Sequence, residues 1–175
     1  MSTASFTPSR SYLTAMAAYN AWMNEKLYAI CDGMTDEERK RDRGAFFRSI
    51  HHTLDHLVFV DHFWMSWFQG RPPANTKLGA EMFADWDALK AERVRMDAEI
   101  TAWAATVPDD TLAGDLVFDS LTLKTKRKLA FWHAVIHYFN HQTHHRGQVT
   151  TLLTQAGKEM GATDLHRLPG IAISL

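Results

Sequence analysis

The stretch HYFNHQTHHRGQVTTLLTQAG, residues 137–157, decides how this chain is read. It contains no proline, and it ends on Gly157, a residue type that readily stops a helix. It reads as the greater part of a helix over 127–156. A helix turns about 100° per residue, so residues four apart overshoot one turn by only about 40°. His137, His141 and His145 therefore share a stripe with Gln148, and Ala130, Ala134, Leu152 and Ala156 extend that stripe at both ends. Apolar residues at either end aim the stripe at a core. The imidazoles are expected inside.

Three more helices are expected upstream. Tyr12, Met16, Tyr19, Met23, Leu27 and Ile30 recur at steps of three and four, with Gly33 as a stop signal. DGMTDEERKRDRG (32–44) reads as a polar connection, and a second helix covers 45–68. The adjacent Pro72 and Pro73 make QGRPPANTKLG (69–79) a loop. A third helix carries Phe83, Trp86, Leu89, Arg93, Met96, Ile100 and Trp103 and ends before Pro108. LVFDSLTLK (116–124) is β-branched and aromatic without a helical period, as in a small hairpin or extended crossover. The fold expected is all-α: a single domain over 1–175, a four-helix bundle with a long crossover between its third and fourth helices.

Composition narrows the function. Apolar residues make up 46% and charged residues 22%, as in folded globular proteins. A net charge of −1 gives no general attraction to nucleic acid or anionic membrane. Lys124, Lys126, Arg127 and Lys128 form too short a basic run to change that, and read as a solvated turn. The one cysteine, Cys31, excludes an intrachain disulfide and a multi-cysteine zinc site, and is most simply a small core residue. MSTASFTPSR (1–10) lacks an apolar targeting core, and no run approaches the roughly 20 apolar residues of a membrane span. A cytoplasmic protein is expected, binding neither nucleic acid nor membrane.

The second helix supplies a partner for the histidine stripe. Arg48, His51, Asp55, His62, Ser66 and Gln69 form a polar stripe expected in water, and most of the remaining circumference is apolar. His56 interrupts that apolar face, with His52 at its margin. One inward imidazole is ordinarily a core residue bonded to a hydroxyl or carbonyl. Several converging from two helices satisfy one another poorly, and a buried polar group left unsatisfied costs about 1–3 kcal/mol. A divalent ion removes that cost: an i, i+4 pair presents two nitrogens, and a third histidine from a facing helix completes the set. His144 competes with His145 for the pair, but the four-residue spacing favours His141 with His145. The same spacing occurs in zinc proteases, but Gln142 stands where their glutamate base would be. Three protein ligands leave a position open for water or an anionic substrate atom such as a thiolate. Haem between facing histidines is the less economical alternative.

Several neighbours are candidates for support. Asp61 would orient a ligand's second nitrogen, or pair with Arg146 or a helix-one asparagine. His137 would relay protons or add a polar contact, and Gln148 would bond a metal-bound water or tie helices together. Arg146 projects away from the stripe and is expected in a salt bridge. Tyr19, Asn20, Trp22 and Asn24 would line a pocket mouth or simply pack. Trp132, Val135 and Phe139 form a second apolar face suited to a subunit interface.

YNAWMNEKLY (19–28), SIHHTLDHLVFVDHFW (49–64) and the opening stretch, in that order, resemble the DinB family of the DinB/YfiT-like superfamily of metalloenzymes. The resemblance implies a four-helix bundle, a homodimer and a three-histidine site for a divalent ion, zinc or nickel first, with iron or manganese as alternatives. Carried over by motif, the ligands are His56, His141 and His145. Relatives include transferases and isomerases using low-molecular-weight thiols, so the activity implied is a thiol-dependent S-transferase or a hydrolase acting on a small electrophile. The alternative is a non-catalytic metal-binding stress-response protein.

Overall fold

A computed structural model describes residues 9–171; the first eight, which belong to the stretch read as lacking a targeting core, and the last four lie outside it. Four long helices dominate: α1 (Arg10–Asp32), α3 (Ile50–Phe68), α4 (Trp86–Thr106) and α6 (Phe131–Gln155). Two short helices, α2 (Asp36–Lys40) and α5 (Asp109–Ala113), and a hairpin of β1 (Asp115–Ser120) and β2 (Thr125–Ala130) lie in the connections. The architecture is thus mostly helical rather than all-α, with one small antiparallel sheet in the α4–α6 connection, where a small hairpin or extended crossover is expected. Among the described residues no helix is long and apolar enough to cross a membrane.

Local chemistry sets the helix ends. Ser9, Ser49 and Asp85 sit at N-caps, accepting from Tyr12 N, His52 N and Ala88 N at 3.3, 3.1 and 2.8 Å. The second long helix therefore begins at residue 50 rather than 45: residues 45–49 make a tight turn with Arg48 at φ 66°, closed by Arg48 N to Ala45 O at 2.8 Å. The connection at 32–44 is not wholly irregular either. Thr35 and Glu38 form a reciprocal capping box that starts α2. The last helix begins at 131 rather than 127, because residues 125–130 pair with β1 in the register Asp115↔Ala130 to Ser120↔Thr125. Its first turn is held by Phe131 N donating to Gly114 O at 2.9 Å. At the other end Gly157, with φ 72°, supplies the left-handed residue that lets Lys158 N reach back to Leu153 O at 2.9 Å.

The long helices pack as a ring in the order α1–α4–α3–α6. Two connections therefore cross the ring diagonally: residues 33–49, from α1 to α3, and residues 107–130, from α4 to α6. Sequence periodicity suggested only the second. The basic residues of β2 are exposed, and Lys126 and Lys128 pair with Asp119 and Asp115 at 3.5 and 2.6 Å.

The core has two apolar halves. One gathers Leu13, Phe63, Phe68, Ile100 and Phe139, the other Leu27, Ile50, Leu54, Leu89 and Leu153. Side chains of a polar layer join all four long helices. Asp61 of α3 accepts from Arg93 of α4 and from Gln142 and Tyr138 of α6, the last at 2.6 Å. Asp97 of α4 accepts from Asn20 and Asn24 of α1 at 3.2 and 2.9 Å, and Asn20 accepts from Arg146 of α6. Val135 and Phe139, expected at a subunit interface, are instead buried in the core, with Trp132 half-buried beside them. Cys31 is a buried free thiol in the second apolar half.

Candidate metal centre

α3 and α6 lie side by side, and their facing stripes bring His56, His141 and His145 together. One ligand-capable atom from each lies within 4.8 Å of those of the other two. His56 and His145 are 8% exposed and His141 is half-buried, so the cluster is largely withdrawn from bulk water. The i, i+4 pair converges through its Nε2 atoms, 3.1 Å apart. Two imidazole nitrogens on one tetrahedral ion, each at about 2.0–2.1 Å, are separated by about 3.3 Å. The pair is close to that spacing.

Tautomers and charges suit a cation. Gln148 Oε1 lies 2.7 Å from His145 Nδ1, which puts the proton on Nδ1 and leaves Nε2 with a lone pair aimed at His141. His141 Nδ1 is buried without a hydrogen-bond partner among the described residues, so without a cation the His141 proton is best placed on Nε2, donated to His145. Burial, reinforced by His145, pushes His56 down to about 4. Burial, with His145, His56 and two further histidines nearby, pushes His141 down to about 3. His145 is lowered too, by burial, against the opposing bond to Gln148. All three are neutral at pH 7. Neutral imidazole is the ligand form, so the donor set fits a borderline divalent ion.

The supporting residues fall differently from expectation. Gln148 bonds a candidate ligand directly instead of reaching across helices. Its amide nitrogen lies 3.2 Å from Nε2 of His144, which is exposed and is not one of the three converging histidines. Asp61 touches none of the three histidines, nor Arg146 nor an asparagine; its partners are Arg93, Tyr138 and Gln142. Arg146 has no carboxylate partner among the described residues; it donates to Asn20 and sits over the Tyr19 ring, 5.6 Å from its centroid. Asn20 and Asn24 belong to the polar layer, not to a pocket mouth at the histidines. His137 is exposed, its ring 5.9 Å from that of His141 and 5.5 Å from Trp64.

The polar stripe of α3 does not face water throughout. His51 and Asp55 are buried beneath the connection into α4. Asp55 accepts from Met82 N and Phe83 N, both at 2.9 Å, and His51 Nε2 lies 2.8 Å from Phe83 O. Burial raises the Asp55 carboxyl, and the two backbone donors oppose it. His62 is half-buried, within 2.6 Å of Glu92.

One neighbour of the cluster went unread in the sequence. Phe47, from the turn before α3, stacks on His56 at 4.0 Å between centroids and meets His145 edge-on at 5.4 Å. The signal available was Ser49 as an N-cap, which would have placed residues 45–48 outside the helix and over its first turns.

Protein DinB of Bacillus subtilis (strain 168) is 24% identical over 150 residues, covering 83% of this chain and 87% of that protein. The family match runs over residues 1–173, essentially end to end. The chain belongs to the DinB family.

Proposed function

We propose that the protein is a divalent-metal protein, with zinc or nickel held by His56, His141 and His145, acting as a metal-dependent enzyme on a small electrophilic substrate. The single observation that carries this reading is the convergence of three neutral imidazoles from two helices, with a cavity beside His56. A divalent ion bound by three histidines supplies an open coordination position where water is acidified or a thiolate is held. The chain's own residues do the rest. Gln148 fixes the His145 ring and its tautomer, while Phe47 covers His56 and helps exclude water. The reaction class proposed, on the family resemblance, is S-transfer from a low-molecular-weight thiol, or hydrolysis.

Cobalt(II) loading tests the reading. A three-histidine site with an exchangeable fourth position gives visible absorption bands that shift when azide or a small thiol is added. The metal-loaded protein then transfers thiol to, or hydrolyses, a small electrophile, and His141→Ala removes both the bands and the turnover. Bands unmoved by any added ligand would make the ion a closed helix-to-helix tie, the non-catalytic reading. No bands would remove the metal itself.

A further inference from the structure

A cavity of about 410 Å³ opens beside the histidine cluster, walled by Phe46, Phe47, Phe59, His52, His56 and the segment around Glu81. That volume lies within the range of small-molecule sites. Most of its polar side chains already have partners. Asp55 spends both oxygens on backbone N–H groups. His52 has Nδ1 2.9 Å from Ser49 Oγ and Nε2 3.3 Å from Glu81. Arg48 leans towards Asp42 at the exposed rim, 3.8 Å away. The His56 ring, by contrast, has aromatic neighbours but no hydrogen bond among the described residues. What the cavity offers a guest is aromatic surface and an imidazole of the cluster.

The aromatic wall is held in place. Phe46 meets Phe47 edge-on at 4.8 Å, yet is itself 84% exposed, an apolar ring left in water at the cavity rim. The turn presenting both rings is closed by Arg43 N to Arg48 O and Ser49 N to Phe47 O, at 2.8 and 2.7 Å. Arg48 adopts the left-handed region to make it, a conformation unfavourable for a residue with a β-carbon. The turn thereby sets Phe47 against two of the candidate ligands, with Phe46 beside it at the rim.

We infer that this cavity binds a small molecule with a flat apolar body, aromatic or conjugated, and a metal-ligating head, the body lying against Phe46, Phe47 and Phe59 while the head reaches the three-histidine centre. The inference rests on the histidines holding a metal. Charge plays little part in selection at the inner wall, since His52, Asp55 and Glu81 already have partners; aromatic contact decides which bodies fit. Phe47, touching both His56 and His145, is the principal selectivity residue.

Two probes with one head separate body from head: acetohydroxamate and benzohydroxamate, titrated calorimetrically into zinc-loaded full-length protein. Benzohydroxamate is expected to bind about tenfold more tightly than acetohydroxamate. Phe47→Ala, its zinc content assayed in the same sample, brings the two affinities within about twofold. Phe46→Ala, at an exposed position that folding does not depend on, reduces the preference about threefold. Equal affinities in the wild type, or a preference that survives both substitutions, would overturn the inference and leave the metal reading standing. Benzohydroxamate binding equally well to zinc-free protein would overturn the head-to-metal arrangement. Failure of the wild type to retain zinc would remove the metal reading, and this inference with it.

Discussion

Two clusters of polar side chains lie within the same ring of helices, and they are built in opposite ways. Around Asp61 the groups are complementary: a carboxylate meets a guanidinium, a phenol and an amide, and the layer joins all four long helices. Burial alone would lower the Arg93 pKa, but Asp61 and Asp97 more than reverse that and keep the guanidinium charged. Around His141 the groups are alike. Three imidazoles are each driven neutral by burial, and two of them face one another through the same atom type. A complementary cluster completes itself and serves the fold. A cluster of like electron-pair donors is one that a cation would complete, since lone pairs donate to an electrophile. Burial alone does not separate the two clusters, since both are largely buried. Partner chemistry does.

The comparison can be broken by substitution, and the largest effect belongs to the complementary cluster. Asp61→Ala leaves Arg93 buried with less than its full set of partners, and is expected to cost about 3–5 kcal/mol in urea unfolding. Loss below about 1 kcal/mol would mean the layer is not what holds the helices in register. Next comes the like cluster, where the effect moves from stability to binding. His141→Ala or His145→Ala is expected to weaken metal affinity by at least about 100-fold in chelator competition. His51→Ala and His62→Ala, whose partners are Phe83 O and Glu92, leave it unchanged.

Acid sharpens the distinction in the metal-free protein. The folded-state pKa values of His56 and His141 lie at about 4 and about 3, below the ordinary histidine value of 6.5. The unfolded chain therefore binds more protons between those values and pH 6.5, so stability contributed by the neutral rings is complete above pH 6.5 and is lost as pH falls through that window. His141→Gln removes one such ring. Its stability relative to wild type should rise between pH 7 and pH 5, and a constant difference would show that His141 is not held neutral. Smaller still, Gln148→Ala frees the His145 ring and should weaken metal binding about tenfold, with the metal-to-chain ratio intact at saturation.

Much of this was legible from residue spacing. The i, i+4 repeat of α6 brought out His141 and His145 but also aimed His137 inward, where the ring is exposed; the apolar surroundings of His56 picked it from the four histidines of α3. The polar layer was half legible. Asp61 interrupts an apolar face of α3 and Arg93 interrupts an apolar stripe of α4, two opposite charges aimed inward, but their pairing depends on which helices are neighbours in the ring. Residues 45–49 misled because Ala, Phe and Arg carry no helix-breaking signal; the turn exists because Ser49 caps the next helix and Arg48 takes a left-handed conformation. Residues 127–130 misled for a different reason. Lys, Leu and Ala suit a helix, and pairing with β1 overrides that preference. His51 and Asp55 were placed in water because a helix pattern does not show that a connection, residues 82 and 83, will lie across it.

Elemental analysis of full-length protein, purified without chelator or metal-affinity resin, tests the central claim most directly. The account predicts about one divalent ion per chain in the wild type, near zero in His56→Ala and His145→Ala, and wild-type content in His51→Ala. A wild-type chain that holds no metal after dialysis against zinc, nickel, iron or manganese, or equal metal in all four proteins, would contradict it.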